Sequence, residues 1–185
     1  MVAGQKGNVV FLSVELINHE TREIEVKLAT MLAFMLGIFL MTVFQNLFEK
    51  SWWRLSSIVP LILVASVIGI LPANFANIYI VPPLGFCMGL VATAFGEVDG
   101  IAYNNSFMTG NLKKTMVAFG TYVRTKKIPY LEEGLFFVAL LASFVTGAIA
   151  STYLIQFWYL RTIWLVSLIL SAFLIFRLTQ YLRRR

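Results

Sequence analysis

The densest group of polar side chains beside any apolar segment lies between positions 97 and 111. Its candidate site residues are two carboxylates, three amides and one hydroxyl: Glu97, Asp99, Asn104, Asn105, Asn111 and Thr109. Carboxylates close to a membrane segment often mark the path of an ion or a proton, because an ionised group is costly in lipid. The alternative is a hydrated helix end, where a carboxylate reaches water. We expect a substrate-binding site, if the protein has one, to lie here.

The pair Gly110–Asn111 predicts a break between two helical segments. Gly110 tolerates backbone angles that other residues avoid, and Asn111 can cap a new helix by accepting a hydrogen bond from a free N–H. A helix start carries partial positive charge and attracts anions. A second pair, Gly7–Asn8, precedes another apolar stretch. The two pairs are therefore added to the candidate binding site.

The same break has a plainer interpretation, in which it only turns the chain into a helix lying in the membrane interface. Four apolar residues would share one side of that helix: Leu112, Met116, Phe119 and Val123. Three basic residues would then contact lipid headgroups: Lys113, Lys114 and Arg124.

The residue types needed for soluble-enzyme chemistry are scarce. Cys87 is the one cysteine and His19 the one histidine in 185 residues. One cysteine is too few for an intramolecular disulfide or a cysteine-based zinc site. One histidine leaves few residues for a Ser/His/Asp triad. We predict a protein that is not an enzyme and that has no metal site and no cofactor.

The composition indicates an integral membrane protein. Hydrophobic residues make up 59% of the chain and charged residues 13%, against roughly 45–50% and about 25% in soluble domains. Crossing a bilayer takes about 20 mainly apolar residues, and five stretches qualify: Leu28–Phe48, Leu55–Ala73, Ile78–Gly96, Gly134–Gln156 and Tyr159–Phe176. The net charge of +6 is concentrated at the ends of these stretches. We therefore expect the lipid bilayer as a partner, and no nucleic acid.

The distribution of Lys and Arg predicts the orientation in the membrane. One set of loops and ends carries eleven of these fifteen residues, including Lys50, Lys113 and the C-terminal Arg183–Arg185. Because cytoplasmic loops are enriched in Lys and Arg, we expect a multi-pass protein of the cell membrane with its C-terminus in the cytoplasm.

The chain also resembles itself. The segments GNVVFLSVEL and GNLKKTMVAF each begin with Gly-Asn and continue through a charged loop into a span. We therefore expect an all-α bundle of two inverted three-helix repeats, with short interfacial or broken helices at the Gly-Asn pairs. The first repeat, 1–75, lacks its opening span, and the second, 76–185, is complete. The bundle would have about five transmembrane helices, and six in a complete version. Four glycines are expected to allow close helix packing: Gly37, Gly85, Gly89 and Gly147.

Several motifs resemble the YoaK-type family of small bacterial membrane proteins. They are MTGNL at Met108–Leu112, the preceding VDGIAYNNSF, MGL at Met88–Leu90 and the N-terminal GNVVFLSVEL. The resemblance implies six spans and a TGN-like motif after the first span of each half, and it implies no defined function. The first half departs from that pattern, with QKGN at Gln5–Asn8.

Two classes of function remain open. The first is a transporter or permease for a small solute, such as an anion, favoured by the inverted repeat and the paired helix breaks. The second is a non-transporting membrane protein that binds lipid or a protein partner, favoured by the scarcity of charge within the spans. A homo-oligomer is a further candidate assembly.

Overall fold

The computed structural model describes residues 10, 12–14, 17, 21–45, 52–72, 74–98, 100–103 and 108–183. Five of the candidate site residues lie outside these ranges: Gly7, Asn8, Asp99, Asn104 and Asn105. Of the two Gly-Asn pairs, the structure therefore describes only Gly110–Asn111.

Helices make up most of the described chain. In order they are α1 (Thr21–Phe44), α2 (Trp52–Ser56), α3 (Ile58–Ile68), α4 (Asn77–Ala94), α5 (Met108–Thr125), α6 (Ile128–Trp158) and α7 (Ile163–Arg183). An antiparallel hairpin of β1 (Glu97–Val98) and β2 (Ile101–Ala102) lies between α4 and α5 in sequence. A 3-10 helix, Tyr159–Thr162, joins α6 to α7.

Three helical stretches in the described residues are long and apolar enough to cross a membrane. They are Thr21–Phe44, Asn77–Ala94 and the 56-residue run Ile128–Arg183. That run holds both α6 and α7, so it contains the two last spans expected from the sequence. The apolar helix Trp53–Ile68 is shorter. The number of crossings therefore stays a prediction.

Large apolar side chains cover the outside of these helices. Leu32, Phe39, Ile149 and Ile169 are between 62% and 68% exposed. A water-soluble monomer rarely exposes a contiguous apolar patch of more than a few hundred Å². In a bilayer such a surface meets lipid tails that are as apolar as the side chains themselves. The helices are therefore compatible with a membrane location.

The chain divides into two compact units. The first contains Met1–Ala94 and Phe157–Arg185, and the second contains Phe95–Gln156. These divisions differ from the repeat boundary expected between residues 75 and 76. That repeat boundary stays a prediction.

In the first unit, α1 and α4 touch through a seam of small residues. Thr30 lies against Gly85, and Phe34 and Gly37 lie against Gly89. Residue numbers rise together along this contact, so the two helices run parallel. The expected role of Gly37, Gly85 and Gly89 in close packing is confirmed.

Helices α3 and α7 form a second contact in the same unit. The indole Nε1 of Trp164 donates a hydrogen bond to the Ser66 carbonyl at 3.0 Å, and the hydroxyls of Ser66 and Ser167 are 3.2 Å apart. Trp164 also lies against Gly69. Later residues of α3 thus meet earlier residues of α7, so these two helices are antiparallel.

In the second unit, α5 and α6 form an antiparallel helical hairpin. The ring of Phe119 lies against Gly134, and the amine of Lys114 lies 5.6 Å from the centre of the Phe137 ring. The connection between the helices consists of Lys126 and Lys127, and Lys126 has a φ of +57°. Further along α6, a methyl group added at Gly147 would meet no atom within 4 Å among the described residues. The prediction that Gly147 allows close helix packing is therefore wrong within the described residues.

Candidate functional site

The described part of the candidate site lies where α5 meets the β-hairpin and α6. Within the described residues, α5 begins at Met108, so Gly110 and Asn111 are its third and fourth residues. The expected break at this pair, with Asn111 as the capping residue, is therefore wrong. Tertiary packing overrides the weak helix propensity of Gly and Asn, because one continuous face of α5 is buried.

The buried face of α5 is formed by Asn111, Thr115 and Ala118. Their spacing of four and three residues places them on one side of the helix. Asn111 and Thr115 are each 4% exposed, and the Thr115 hydroxyl donates a hydrogen bond to the Asn111 carbonyl at 2.9 Å. Two polar side chains thus lie on the face of α5 that is turned toward protein, as expected for a helix in an apolar environment.

Lys114 ties α5 to its neighbours in the second unit. Its amine donates a hydrogen bond to the Ala102 carbonyl of β2, and it also lies over the Phe137 ring of α6. An ammonium group above an aromatic face is attracted by the ring's quadrupole. The sequence predicts that Lys114 contacts lipid headgroups, and the structure places its amine in these two contacts with β2 and α6, at an exposed position.

The β-hairpin lies in the first part of the polar group expected at positions 97–111. Glu97 pairs with Ala102 and Val98 pairs with Ile101, so two residues connect the strands, and Gly100 has a φ of +81°. Glu97 is exposed. The hairpin was missed from the sequence, although Asp-Gly between short apolar stretches is a recognised signal for a two-residue turn.

Tyr103 and Phe119 give α6 its aromatic contacts. The ring of Tyr103 packs edge-on against Phe136, with ring centres 5.7 Å apart. Phe119 was expected to share the free apolar side of α5, but its ring lies against Gly134. It packs there because Gly134 has no side chain and leaves room for the ring.

The exposed surface of α5 has two flanks. Leu112, Met116 and Val123 are 53%, 63% and 65% exposed and lie close together around the helix. Lys113 and Arg124 are also exposed, about 90° further around at 100° per residue. Val117 lies beside this basic pair and is exposed too. Thr109 and Gly110 are exposed at the start of the helix.

This arrangement is suited to binding at a surface. The basic flank offers hydrogen-bond donors and positive charge, and the adjacent apolar flank offers a surface that lipid tails would cover. Among the described residues, no three His, Cys, Asp or Glu side chains are grouped so that they could hold a metal ion.

Comparison with known proteins identifies one family. The profile of a family described as "Protein of unknown function (DUF1275)" matches residues 1–176. The match is consistent with the resemblance to YoaK-type proteins. Neither the curated proteins nor the solved structures contain a match to the chain.

Proposed function

The chain belongs to the DUF1275 family, and from that premise we propose that it is a non-enzymatic, non-transporting membrane protein that binds anionic lipid headgroups through α5. The observation that carries the proposal is the division of the exposed surface of α5 into an apolar flank and a basic flank. Leu112, Met116 and Val123 would enter the bilayer interface, while Lys113 and Arg124 would meet the phosphates.

The continuity of α5 favours this function over an anion site at a helix break. Gly110 and Asn111 are the third and fourth residues of α5, so the helix begins before this pair and Asn111 is not its capping residue. A basic interfacial helix needs no break. By the positive-inside rule, α5 would lie on the cytoplasmic side of the cell membrane.

The proposal includes five membrane crossings. Helices α1 and α4 are parallel, so the chain between them must return across the membrane once, and α2 with α3 supplies that return. The two helices cover Trp52–Ile68 apart from a turn at Ser57. These seventeen residues, sixteen of them helical, would span about 25 Å, close to the hydrocarbon thickness of about 30 Å. The proposal also keeps the inverted repeat expected from the sequence, whose two halves would have opposite orientations in the membrane.

Titration of the purified protein with lipid tests the α5 proposal. The full chain in neutral detergent is titrated with phosphatidylglycerol or phosphatidylcholine, and the melting temperature is followed. We expect phosphatidylglycerol alone to stabilise the wild type. In Lys113→Gln/Arg124→Gln its apparent affinity should fall roughly tenfold or more, since each basic residue near an anionic surface contributes about 1 kcal/mol.

Arg22→Gln is the matched control, because Arg22 is an exposed basic residue on α1. It should bind phosphatidylglycerol as the wild type does. Equal affinities in all three proteins would contradict the proposal.

A small-solute permease is the second candidate, and one specific observation favours it. Asn111 and Thr115 are buried polar residues on the protein-facing side of α5, and such residues often line solute paths in membranes. Proteoliposomes would then show saturable flux of small anions that is lost in Asn111→Ala and kept in Thr109→Ala, where the replaced side chain is exposed. Flux equal to that of empty liposomes would reject this candidate.

A further inference from the structure

A pocket at the corner between α6 and α7 lies within the first unit and has no part in the α5 proposal. We call it the corner pocket. It has a volume of about 380 Å³ and lies between residues 70–72, after α3, and residues 157–161, at the α6–α7 connection. This volume falls within the usual range of small-ligand pockets, about 300–1,000 Å³.

Arg161 gives the corner pocket a positive charge. It lines the pocket and is exposed, and no carboxylate among the described residues forms an ion pair with it. A guanidinium group presents five N–H donors in a fixed plane that matches the oxygens of a phosphate. An arginine without an acidic neighbour keeps those donors available for a ligand.

The walls of the pocket combine aromatic and apolar groups. Trp158 and Tyr159 are 51% and 65% exposed, and each offers a polar N–H or O–H beside a large ring. Leu71, Pro72 and Phe157 supply apolar surface. Aromatic side chains of this kind are enriched at the level of lipid headgroups, where one end of the ring is apolar and the other is hydrated.

The connection from α6 to α7 has an uncommon backbone conformation. Tyr159 has a φ of +47°, a left-handed conformation in which the chain turns from α6 into the 3-10 helix. Residues with side chains avoid this region, and when a structure imposes it the position is often a functional one. Trp158, Tyr159 and Arg161 at this turn all line the pocket.

We propose that the corner pocket binds a phosphate-bearing amphiphile, with the phosphate on Arg161 and the apolar part against Leu71, Pro72 and Phe157. Two sources share this chemistry, the headgroup of a phospholipid and a free phosphate compound. The mixed lining favours the phospholipid, because inorganic phosphate would leave the apolar walls without a partner. The proposal does not depend on the function assigned to α5.

Binding to the full-length protein in neutral detergent tests the corner pocket. All variants carry Lys113→Gln/Arg124→Gln, which removes the basic flank of α5 from the measurement. Three probes are titrated: short-chain phosphatidylglycerol, short-chain phosphatidylcholine and inorganic phosphate. The variants are Arg161→Gln, Arg161→Lys and the control Arg177→Gln, an exposed basic residue of α7 outside the pocket.

We expect phosphatidylglycerol to bind the parent and Arg177→Gln equally and Arg161→Gln about tenfold or more weakly, as for a lost charge-assisted hydrogen bond. Arg161→Lys, which keeps the charge but loses the planar fork, should lie between them, and it serves as the test variant if Arg161→Gln does not fold. If inorganic phosphate bound as tightly as phosphatidylglycerol, the ligand would be identified as a free anion. Equal phosphatidylglycerol affinity in all variants would overturn the proposal.

Discussion

Gly37 of α1 and Gly89 of α4 face each other so closely that a methyl group on either would overlap the backbone of the other helix. A Cβ atom on Gly37 would lie 2.3 Å from the Phe86 carbonyl oxygen, and one on Gly89 would lie 2.3 Å from the Phe34 carbonyl oxygen. Backbones approach this closely in membranes because helix association there depends on van der Waals packing between small residues.

Replacing either glycine should therefore separate α1 from α4. We expect Gly37→Ala and Gly89→Ala each to lower the free energy of unfolding by about 1–3 kcal/mol or more, as for overpacking in a core. Thermal unfolding in detergent measures the effect. Gly147→Ala is the matched control, since no atom lies within 4 Å of its Cβ position among the described residues. A loss in Gly147→Ala equal to that in Gly37→Ala would contradict this explanation.

The hydrogen bond from Trp164 to Ser66 should stabilise the contact between α3 and α7. Trp164→Phe removes the donor of a 3.0 Å bond to the Ser66 carbonyl and part of the surface that covers Gly69. We expect a loss of about 1 kcal/mol, the usual net value of such a bond. Trp158→Phe makes the same change at an indole that forms no hydrogen bond with the described residues, and it should have little effect on the melting temperature. If both variants melt alike, the bond contributes no measurable stability.

The α5–α6 connection should prefer glycine at position 126. Lys126 has a φ of +57°, whereas the neighbouring Lys127 does not have a positive φ. A left-handed conformation costs a residue with a side chain roughly 1–2 kcal/mol. Lys126→Gly should therefore be more stable than Lys127→Gly by about 1 kcal/mol in chemical or thermal unfolding. The opposite order would show that the lysine side chain, which lies 5.9 Å from the Tyr122 ring centre, outweighs the backbone term.

The helix directions in the first unit predict which loops share a side of the membrane. The C-terminal ends of α1 and α7 should lie on one side and the segment before α4 on the other, because α1 is parallel to α4 and α3 is antiparallel to α7. Single-cysteine variants in a Cys87→Ala background test this. Gln45→Cys and Arg183→Cys should react with an impermeant thiol reagent from the cytoplasmic side, and Asn74→Cys from the opposite side.

The charge distribution supplies the cytoplasmic assignment in that experiment. Labelling of Asn74→Cys and Gln45→Cys from the same side would contradict a crossing by α2 and α3. The parent with Cys87→Ala should not react, and its lack of labelling confirms that each signal comes from the introduced thiol.

The sequence predicts the positions of the helices better than the contacts between them. The apolar stretches Leu28–Phe48 and Ile78–Gly96 overlap most of α1 and α4, because lipid-compatible helices require long apolar runs whatever their neighbours. Gly37 and Gly147 look alike in sequence, yet only Gly37 touches another helix in the described structure. The difference depends on which helix lies opposite, and a local sequence window does not contain that information.

In the candidate site, too, the sequence predicts some features and tertiary contacts decide the others. The helical spacing correctly grouped Leu112, Met116 and Val123 on an exposed side, but Phe119 packs against Gly134. The propensities of Gly110 and Asn111 favoured a break, which the burial of Asn111, Thr115 and Ala118 overrides. The position of the Lys114 amine depends on Ala102 and Phe137, twelve and twenty-three residues away.

The sequence by itself determined that this chain forms long apolar helices compatible with a membrane, because hydropathy and length act within each segment. Only the tertiary structure decided that α1 and α4 are parallel, that Gly110 and Asn111 are helical and that Arg161 lines a pocket. The physical reason is that these features arise from contacts between segments far apart in the chain, whose energies no single segment encodes.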